Sequence, residues 1–297
     1  MPDSSEVAVI GLGSMGGGIA RALLARRHRV SVWNRSPAKA APFSSAGARV
    51  VATATDAVAA SSLVIMCVSD FAAARSVLEA PVTAAALKGK TLVQMTIGVA
   101  EDVRGQQEWA HKHGCKFTAG LVVAYPRSVG QPNCLVVYGG DPLLKEHSDV
   151  LASLGESQYL GPDPVSVIKS SYALGPMIIG TLALFFETAA VARLSGLSIN
   201  QHYALTRLIF DEILEGMRDG VYRIGTRNFS GDQATIDVTI AAMHDFCKSM
   251  EATGVPAKIS RAVIDLLQIS KDAGNDDKDI STLVDALLTY AARAAKR

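Results

Sequence analysis

The chain has 297 residues, with 29 Lys and Arg against 28 Asp and Glu, which gives a formal net charge of +1. This balance provides no basic surface for nucleic acid or an anionic membrane, and an apolar share of 49% excludes a disordered chain. The length is sufficient for one large or two medium domains. The four cysteines are scattered without metal-ligand spacing, so we expect no metal site and a reduced, cytoplasmic protein. The first residues lack a basic region followed by an apolar one, so we expect no signal peptide.

A glycine-rich turn follows the first apolar run, Val7 to Ile10, and leads into an Ala- and Leu-rich helical segment. Its order, Gly-Leu-Gly-Ser-Met-Gly, matches the GxGxxG pattern of dinucleotide-binding βαβ units. The three glycines allow the tight turn, the approach of a pyrophosphate and close helix–strand packing, respectively. Free N–H groups and the helix dipole would hold the pyrophosphate at the helix N-terminus. The predicted contact residues are Gly11, Leu12, Gly13, Ser14, Met15 and Gly16.

The residues at the end of the second strand-like run, Arg29 to Trp33, distinguish an NAD site from an NADP site. An NAD site usually has Asp or Glu here to accept hydrogen bonds from the ribose hydroxyls. A carboxylate would repel the 2′-phosphate of NADP, whereas arginine binds it in bidentate fashion and serine donates to it. The residues here are Asn34, Arg35, Ser36 and Lys39, a set that favours NADPH. The alternative is that both cations are solvated and that Ser36 simply begins the next helix.

Up to about residue 159, strand-like runs alternate with Ala-rich helical segments, which is typical of a doubly wound, mainly parallel sheet. The predicted strands are 7–10, 29–33, 63–68, 91–95, 116–123 and 134–138. Cofactor sites in such sheets lie beyond the carboxyl ends of the strands. This rule directs attention to residues 67–70 and 96–98, where we expect Val68, Ser69, Thr96 and Gly98 to contact the cofactor, although ordinary loop positions are the alternative.

After Pro164 we predict no strand, and one helical segment follows another. The predicted helices are 165–195, 199–216, 232–253, 257–273 and 280–295. We place a Rossmann-type α/β domain at 1–163, and a long interdomain helix plus an all-helical C-terminal domain at 164–297. The first helix has no formal charge from 170 to 186, until Glu187. Because this stretch is just short of a convincing membrane span, we expect no membrane insertion. A helix that is apolar on every side is expected to be buried on every side, so we also expect a homodimer formed around the helical half.

Three stretches resemble the β-hydroxyacid dehydrogenase superfamily, and within it most closely the NADPH-dependent imine reductases and reductive aminases. They are GLGSMGGGIA, VWNRSPAK and the apolar run from Leu121 to Pro126, which Gly130 follows. The similarity covers essentially the whole chain, including the segment from Thr235 to His244. The resemblance implies a helical dimerisation domain exchanged between two subunits. It also implies an active site between one subunit's Rossmann domain and its partner's helices.

The resemblance further implies which residues line the substrate pocket. Hydroxyacid dehydrogenases have a Ser-Gly-Gly stretch that binds the substrate carboxylate, and the aligned residues here are Val123, Ala124 and Tyr125. These are too apolar to hold a carboxylate well, and an apolar pocket suits a cyclic imine or a ketone–amine pair. His244, from the partner subunit, is a further candidate, with a structural histidine as the alternative.

The proton donor of hydroxyacid dehydrogenases is a lysine on the interdomain helix, and many imine reductases have Asp or Tyr at the matching position. That position is Ser171 here, and a serine hydroxyl is a poor acid on its own. Lys169 and Tyr172 lie within a small shift of the alignment, so the three residues are our catalytic candidates. An iminium needs no strong acid at the hydride step, whereas a ketone does, which favours imine reduction. The alternatives are a β-hydroxyacid or other carbonyl dehydrogenase that uses Lys169, and a catalytically silent NADP-binding module.

Overall fold

A computed structural model describes residues 6–143 and 146–295 of the chain. The chain divides into two compact units, Met1–Leu174 and Gly175–Arg297. This division falls inside the long helix that begins at Val165, so residues 165–174 belong to the unit that contains the sheet.

The first unit contains one eight-stranded sheet in the order β3-β2-β1-β4-β5-β6-β7-β8. The strands are β1 (Glu6–Ile10), β2 (Arg29–Trp33), β3 (Arg49–Val50), β4 (Leu63–Met66), β5 (Thr91–Gln94), β6 (Lys116–Val123), β7 (Leu135–Gly140) and β8 (Glu156–Tyr159). All neighbouring pairs are parallel except β6 and β7, which confirms the predicted doubly wound, mainly parallel sheet. We did not predict β3 and β8, because β3 has two residues and β8, Glu-Ser-Gln-Tyr, has no apolar run.

Helices cover both faces of this sheet. They are α1 (Ser14–Ala25), α2 (Pro37–Ser45), α3 (Ala54–Ala59), α4 (Phe71–Leu78), α5 (Pro81–Ala86), α6 (Ala100–Lys112) and α7 (Ser148–Ala152). Successive β1 residues alternate between two cores, since Val9 packs with Ile19 of α1 whereas Ile10 packs with Val103 of α6. A strand buried on both faces reads as a continuous apolar run, which is why this one was predictable.

The second unit is helical, as predicted. The helices after the sheet are α8 (Val165–Leu194), α9 (Ile199–Thr226), α10 (Ile236–Ala252), α11 (Lys258–Asp272) and α12 (Leu283–Ala294). Among the described residues that follow Pro164, the only β feature is the isolated bridge between Ser230 and Lys278. Our predicted end of α9 at Gly216 is wrong, because the helix continues through this glycine to Thr226.

Helix α8 is long and apolar enough to cross a membrane by length and composition alone. One such helix is weak evidence, since the core helix of a soluble protein has the same properties. The expectation that it is buried on every side is wrong for the single chain. Phe186 is 63% exposed, and Met177 and Ile179 are also exposed. An apolar surface of this kind marks an interaction site.

The N-terminus of α11 is capped by a carboxylate from α8. Glu187 accepts hydrogen bonds from the N–H of Ile259 at 3.0 Å and the N–H of Ser260 at 3.3 Å, and from the Ser260 hydroxyl at 3.0 Å. The helix has no cap of its own, because Ala257 occupies the N-cap position. A carboxylate satisfies the free N–H groups there and interacts favourably with the helix dipole. The charge that interrupts the apolar sequence of α8 therefore stabilises the helical unit.

Replacing Glu187 by alanine should lower the free energy of unfolding by about 1–3 kcal/mol, because the N–H groups of α11 lose a charged acceptor. Urea denaturation followed by circular dichroism measures this change. The control is Asp245→Ala, which removes an exposed carboxylate of α10 that has no hydrogen bond in the described chain, and its effect should stay within about 0.5 kcal/mol. Equal losses in the two variants would contradict the capping role.

Candidate dinucleotide-binding site

The glycine-rich turn between β1 and α1 leaves its backbone open to a ligand. Gly11 has a φ of +94°, and a Cβ there would lie less than 3.0 Å from the carbonyl oxygen of Cys67. A Cβ on Gly16 would similarly overlap the Gly11 carbonyl oxygen, whereas one on Gly13 would meet nothing within 4 Å. Gly13 is the N-cap of α1 and provides no side-chain cap. The first N–H groups of α1 are therefore available to an anion such as a pyrophosphate.

A cleft of about 400 Å³ opens beside this turn, at the carboxyl ends of β1, β2 and β4. Predicted residues in its lining are Gly11, Gly13, Ser14, Met15, Gly16, Asn34, Arg35, Ser36, Lys39, Val68 and Ser69. Cys67, from the predicted stretch 67–70, also lines it, and the unpredicted residues in its lining are Trp33, Ala73, Ser76 and Val77. The last three belong to α4, which directly follows β4. The rule that ligands bind beyond the carboxyl ends of strands could have identified them.

Leu12, Thr96 and Gly98, three further predicted contact residues, lie outside the lining of this cleft. Thr96 is buried, and its hydroxyl oxygen accepts a hydrogen bond from the N–H of Val68 at 3.1 Å. Thr96 therefore ties the segment after β5 to the segment after β4. A Cβ on Gly98 would overlap the ring of Phe71, which indicates a packing role. Direct contact of Thr96 and Gly98 with the cofactor stays a prediction.

Asn34 connects the end of β2 to the glycine-rich turn. Its side-chain oxygen accepts a hydrogen bond from the N–H of Leu12 at 2.9 Å, and its amide nitrogen donates to the Ser36 carbonyl at 3.0 Å. An aspartate could accept the first bond but could not donate the second. Asparagine thus fixes this corner of the cleft without adding a negative charge.

The electrostatics of the cleft suit a phosphate monoester. Arg35 and Lys39 line it, both are exposed, and neither forms a salt bridge with any residue that the structure describes. None of the described residues in the lining carries a carboxylate. The nearby Asp70 caps α4 by accepting from Ala73 at 2.7 Å, and this bond is the main reason that its pKa is lowered. Burial raises the pKa of Cys67 to about 11, so this thiol stays neutral. The cleft therefore fits the 2′-phosphate that distinguishes NADP(H).

The substrate-side candidates of the first unit differ in what their side chains do. Tyr125 is 58% exposed, and Val123 at the end of β6 is half-buried. The Ser171 hydroxyl donates to the Ile168 carbonyl of its own helix at 2.7 Å. Lys169 and Tyr172 are exposed and, being three residues apart on α8, share a face of that helix.

His244 lies on α10 of the second unit. It is exposed and makes no hydrogen bond with a described residue, so within one chain it is not a satisfied core histidine. Within residues 6–143 and 146–295, no group of three or more His, Cys, Asp or Glu side chains could hold a metal ion.

Comparison with known proteins relates both units to known families. Residues 6–161 match the NAD binding domain of 6-phosphogluconate dehydrogenase. Residues 172–289 match the C-terminal domain of NADPH-dependent reductive aminase-like proteins. The chain belongs to the NADPH-dependent imine reductase and reductive aminase family. It is an NADPH-dependent oxidoreductase with a Rossmann domain and a helical C-terminal domain, which confirms the predicted family and the predicted cofactor.

Full-length relatives of this family match both units. The chain is 26% identical to the NADPH-dependent reductive aminase of Aspergillus oryzae, over 95% of this chain and 97% of the relative. An imine reductase structure from Pseudomonas sp. is 29% identical, with a TM-score of 0.90 over 96% and 100% of the two chains. The reductive aminase from Aspergillus terreus, in complex with NADPH4, cyclohexanone and allyl amine, is 28% identical, with a TM-score of 0.85 over 96% and 100%.

Replacing Arg35 by alanine should raise the Kd for NADPH about 10- to 100-fold, because charge-assisted hydrogen bonds to a phosphate contribute about 1.5–3 kcal/mol. The Kd for NADH should change less than about threefold, since NADH has no 2′-phosphate. Calorimetric titration with each dinucleotide measures both constants. Arg104→Ala, which removes an exposed arginine of α6 outside the cleft, is the control. A similar loss for both dinucleotides would show that Arg35 does not read the 2′-phosphate.

Proposed function

We propose that this oxidoreductase reduces a C=N bond, either of a cyclic imine or of an iminium formed from a ketone and an amine. The observation that carries this proposal is the Ser171 hydroxyl, which donates to its own helix at the position where ketone-reducing members of the superfamily have a lysine. Reduction of a ketone creates an alkoxide that needs a proton or an oxyanion donor. A protonated C=N group needs neither, because the incoming hydride neutralises its charge.

In this reaction the residues of the chain bind and orient the cofactor and the substrate. NADPH, when bound, supplies the hydride. The glycine-rich turn and the N-terminus of α1 would hold its pyrophosphate, while Arg35, Ser36 and Lys39 would hold its 2′-phosphate. Val123 and Tyr125 would form an apolar wall that orients the C=N carbon and excludes water.

Condensation of a ketone with an amine also requires proton transfers before the hydride step. Tyr172 is our candidate for these, since its side chain is exposed and its hydroxyl has no hydrogen bond within the described chain. Lys169 is the corresponding group of the alternative function, a carbonyl dehydrogenase. The Aspergillus terreus complex, with a ketone and an amine, supports the imine function by similarity.

We also propose a homodimer that exchanges its helical units, so that helices of the partner, including the one that carries His244, complete the active site. Exposed apolar side chains on α8 and α9 support this arrangement. They include Met177, Ile179, Phe186, Leu205, Leu208, Ile209, Leu214 and Val221. Leaving such a surface in water costs about 25 cal/mol for each Å² of apolar area.

A spectrophotometric assay of NADPH consumption tests the reaction. The enzyme should oxidise NADPH with a cyclic imine or with cyclohexanone plus allyl amine, and it should not reduce NADP+ with a β-hydroxyacid.

Lys169→Ala should change turnover of the C=N substrates less than about threefold, whereas a carbonyl dehydrogenase would lose about 100-fold or more. Ser171→Ala should match Ser170→Ala, because both hydroxyls donate to carbonyls of their own helix. NADP+ reduction by a hydroxyacid, with every imine inactive, would refute the proposed function.

Sedimentation equilibrium at micromolar concentration should give twice the mass of one chain. Leu208→Glu, on α9, should shift the protein towards monomer, because a buried unpaired carboxylate would disfavour the interface. Val82→Glu is the matched control, since Val82 of the first unit is equally exposed at 69%. A stable wild-type monomer would contradict the dimer.

A further inference from the structure

Helix α1, which presents the glycine-rich turn, also touches the 3-10 turn Pro126–Ser128 that follows Tyr125. The contact is made at Gly18, outside the GxGxxG motif. A Cβ on Gly18 would overlap the Pro126 carbonyl oxygen and would lie 3.2 Å from the carbonyl carbon and 3.4 Å from the Cα. Only a residue without a side chain allows the two backbones to approach this closely.

The other end of the same turn is attached to α1 as well. Gly130 has a φ of +83°, and a Cβ on it would lie 2.9 Å from the Cβ of Ala22. Its N–H donates to the Leu154 carbonyl at 2.9 Å. Val129 is buried in the core that contains Ile19 of α1. The segment 125–130, which we call the Tyr125 turn, therefore lies against α1 at Pro126 and at Gly130, with Val129 in the same core as Ile19.

The Tyr125 turn carries one substrate-side candidate of the first unit, Tyr125 itself. Tyr125 is exposed, and the Arg127 guanidinium lies over its ring, 6.0 Å from the centroid. The turn follows β6, which is parallel to β5, so it starts from the sheet edge at which the glycine-rich turn lies. Cofactor-side and substrate-side residues thus share one support, helix α1.

We propose that Gly18 is a positioning residue that couples the two halves of the site. A dinucleotide held at the N-terminus of α1 fixes the Tyr125 turn through the contact between Gly18 and the Pro126 carbonyl. Two backbones in direct contact have no flexible side chain between them, so a shift of one displaces the other. The inference rests on the proposed function for the role of Tyr125 towards substrate, but the coupling itself does not depend on turnover.

The test compares Gly18→Ala with Gly17→Ala. The atoms nearest to a Cβ on Gly17 would be those of the Arg21 guanidinium at 3.4 Å and the Phe43 ring at 3.5 Å, both far ends of side chains. The two substitutions add the same methyl group and the same helix propensity to α1, but only one meets backbone. Hydrogen–deuterium exchange with and without saturating NADP+ reports on α1 and on the Tyr125 turn separately.

In the wild type and in Gly17→Ala, NADP+ should slow exchange in both α1 and the Tyr125 turn at least about threefold. In Gly18→Ala the slowing should persist in α1 and fall below about 1.5-fold in the turn. The proposal is overturned if the turn of Gly18→Ala is slowed as in the wild type. It is also overturned if NADP+ no longer slows α1, because the substitution would then act on the helix alone.

If Gly18→Ala does not fold, Pro126→Gly provides the test, because it frees the backbone at the carbonyl that Gly18 contacts without adding an atom. NADP+ should still slow hydrogen exchange in α1 but not in the turn, and undiminished slowing in the turn would overturn the proposal.

In turnover, Gly18→Ala should raise the KM for the C=N substrate about tenfold and leave the KM for NADPH within about twofold, since only the substrate side is displaced. A wild type inactive on every C=N substrate would refute the proposed function and leave the exchange experiment to decide the coupling.

Discussion

The close approach of three backbone segments at Gly11 is the constraint on which the rest of the site depends. Gly11 lies against the Cys67 carbonyl, and Gly16 lies against Gly11, with no room for a side chain at either contact. This packing brings the N-terminus of α1 to the carboxyl edge of the sheet with its first N–H groups uncapped. An anion at that point satisfies donors that the fold itself leaves free. The location of the cleft follows from this arrangement.

Neutral and positive groups, rather than negative ones, define the remainder of the cleft. Asn34 makes two hydrogen bonds that fix the backbone at the end of β2, and it is uncharged. Arg35 and Lys39 are therefore the charged residues of the cleft lining. The nearby carboxylate of Asp70 caps the N-terminus of α4. The cleft therefore combines a polar side chain that holds its backbone with cations that are available to a phosphate.

The helical unit follows a different physical principle. Its core is formed by α10 and α11, with side chains such as Cys247 and Leu267, and Glu187 ties α8 to that core. Much of the apolar surface of α8 and α9 stays exposed in a single chain. The Rossmann unit, in contrast, buries both faces of its sheet. The sheet of the first unit is thus covered on both faces within one chain, whereas α8 and α9 leave large apolar side chains exposed.

Features of this protein that depend on local pattern could be predicted from the amino-acid sequence. Six of the strands, the helical second half, the glycine-rich turn and the cations that follow β2 were all readable, because periodicity and motif spacing reflect short-range geometry. Only the folded structure reveals the bond between Asn34 and Leu12 and the contact between Gly18 and Pro126. The same is true of β8, which has no apolar pattern and is a strand because it pairs with β7. These features depend on which distant segments approach one another within a few ångströms, and no local pattern encodes that distance.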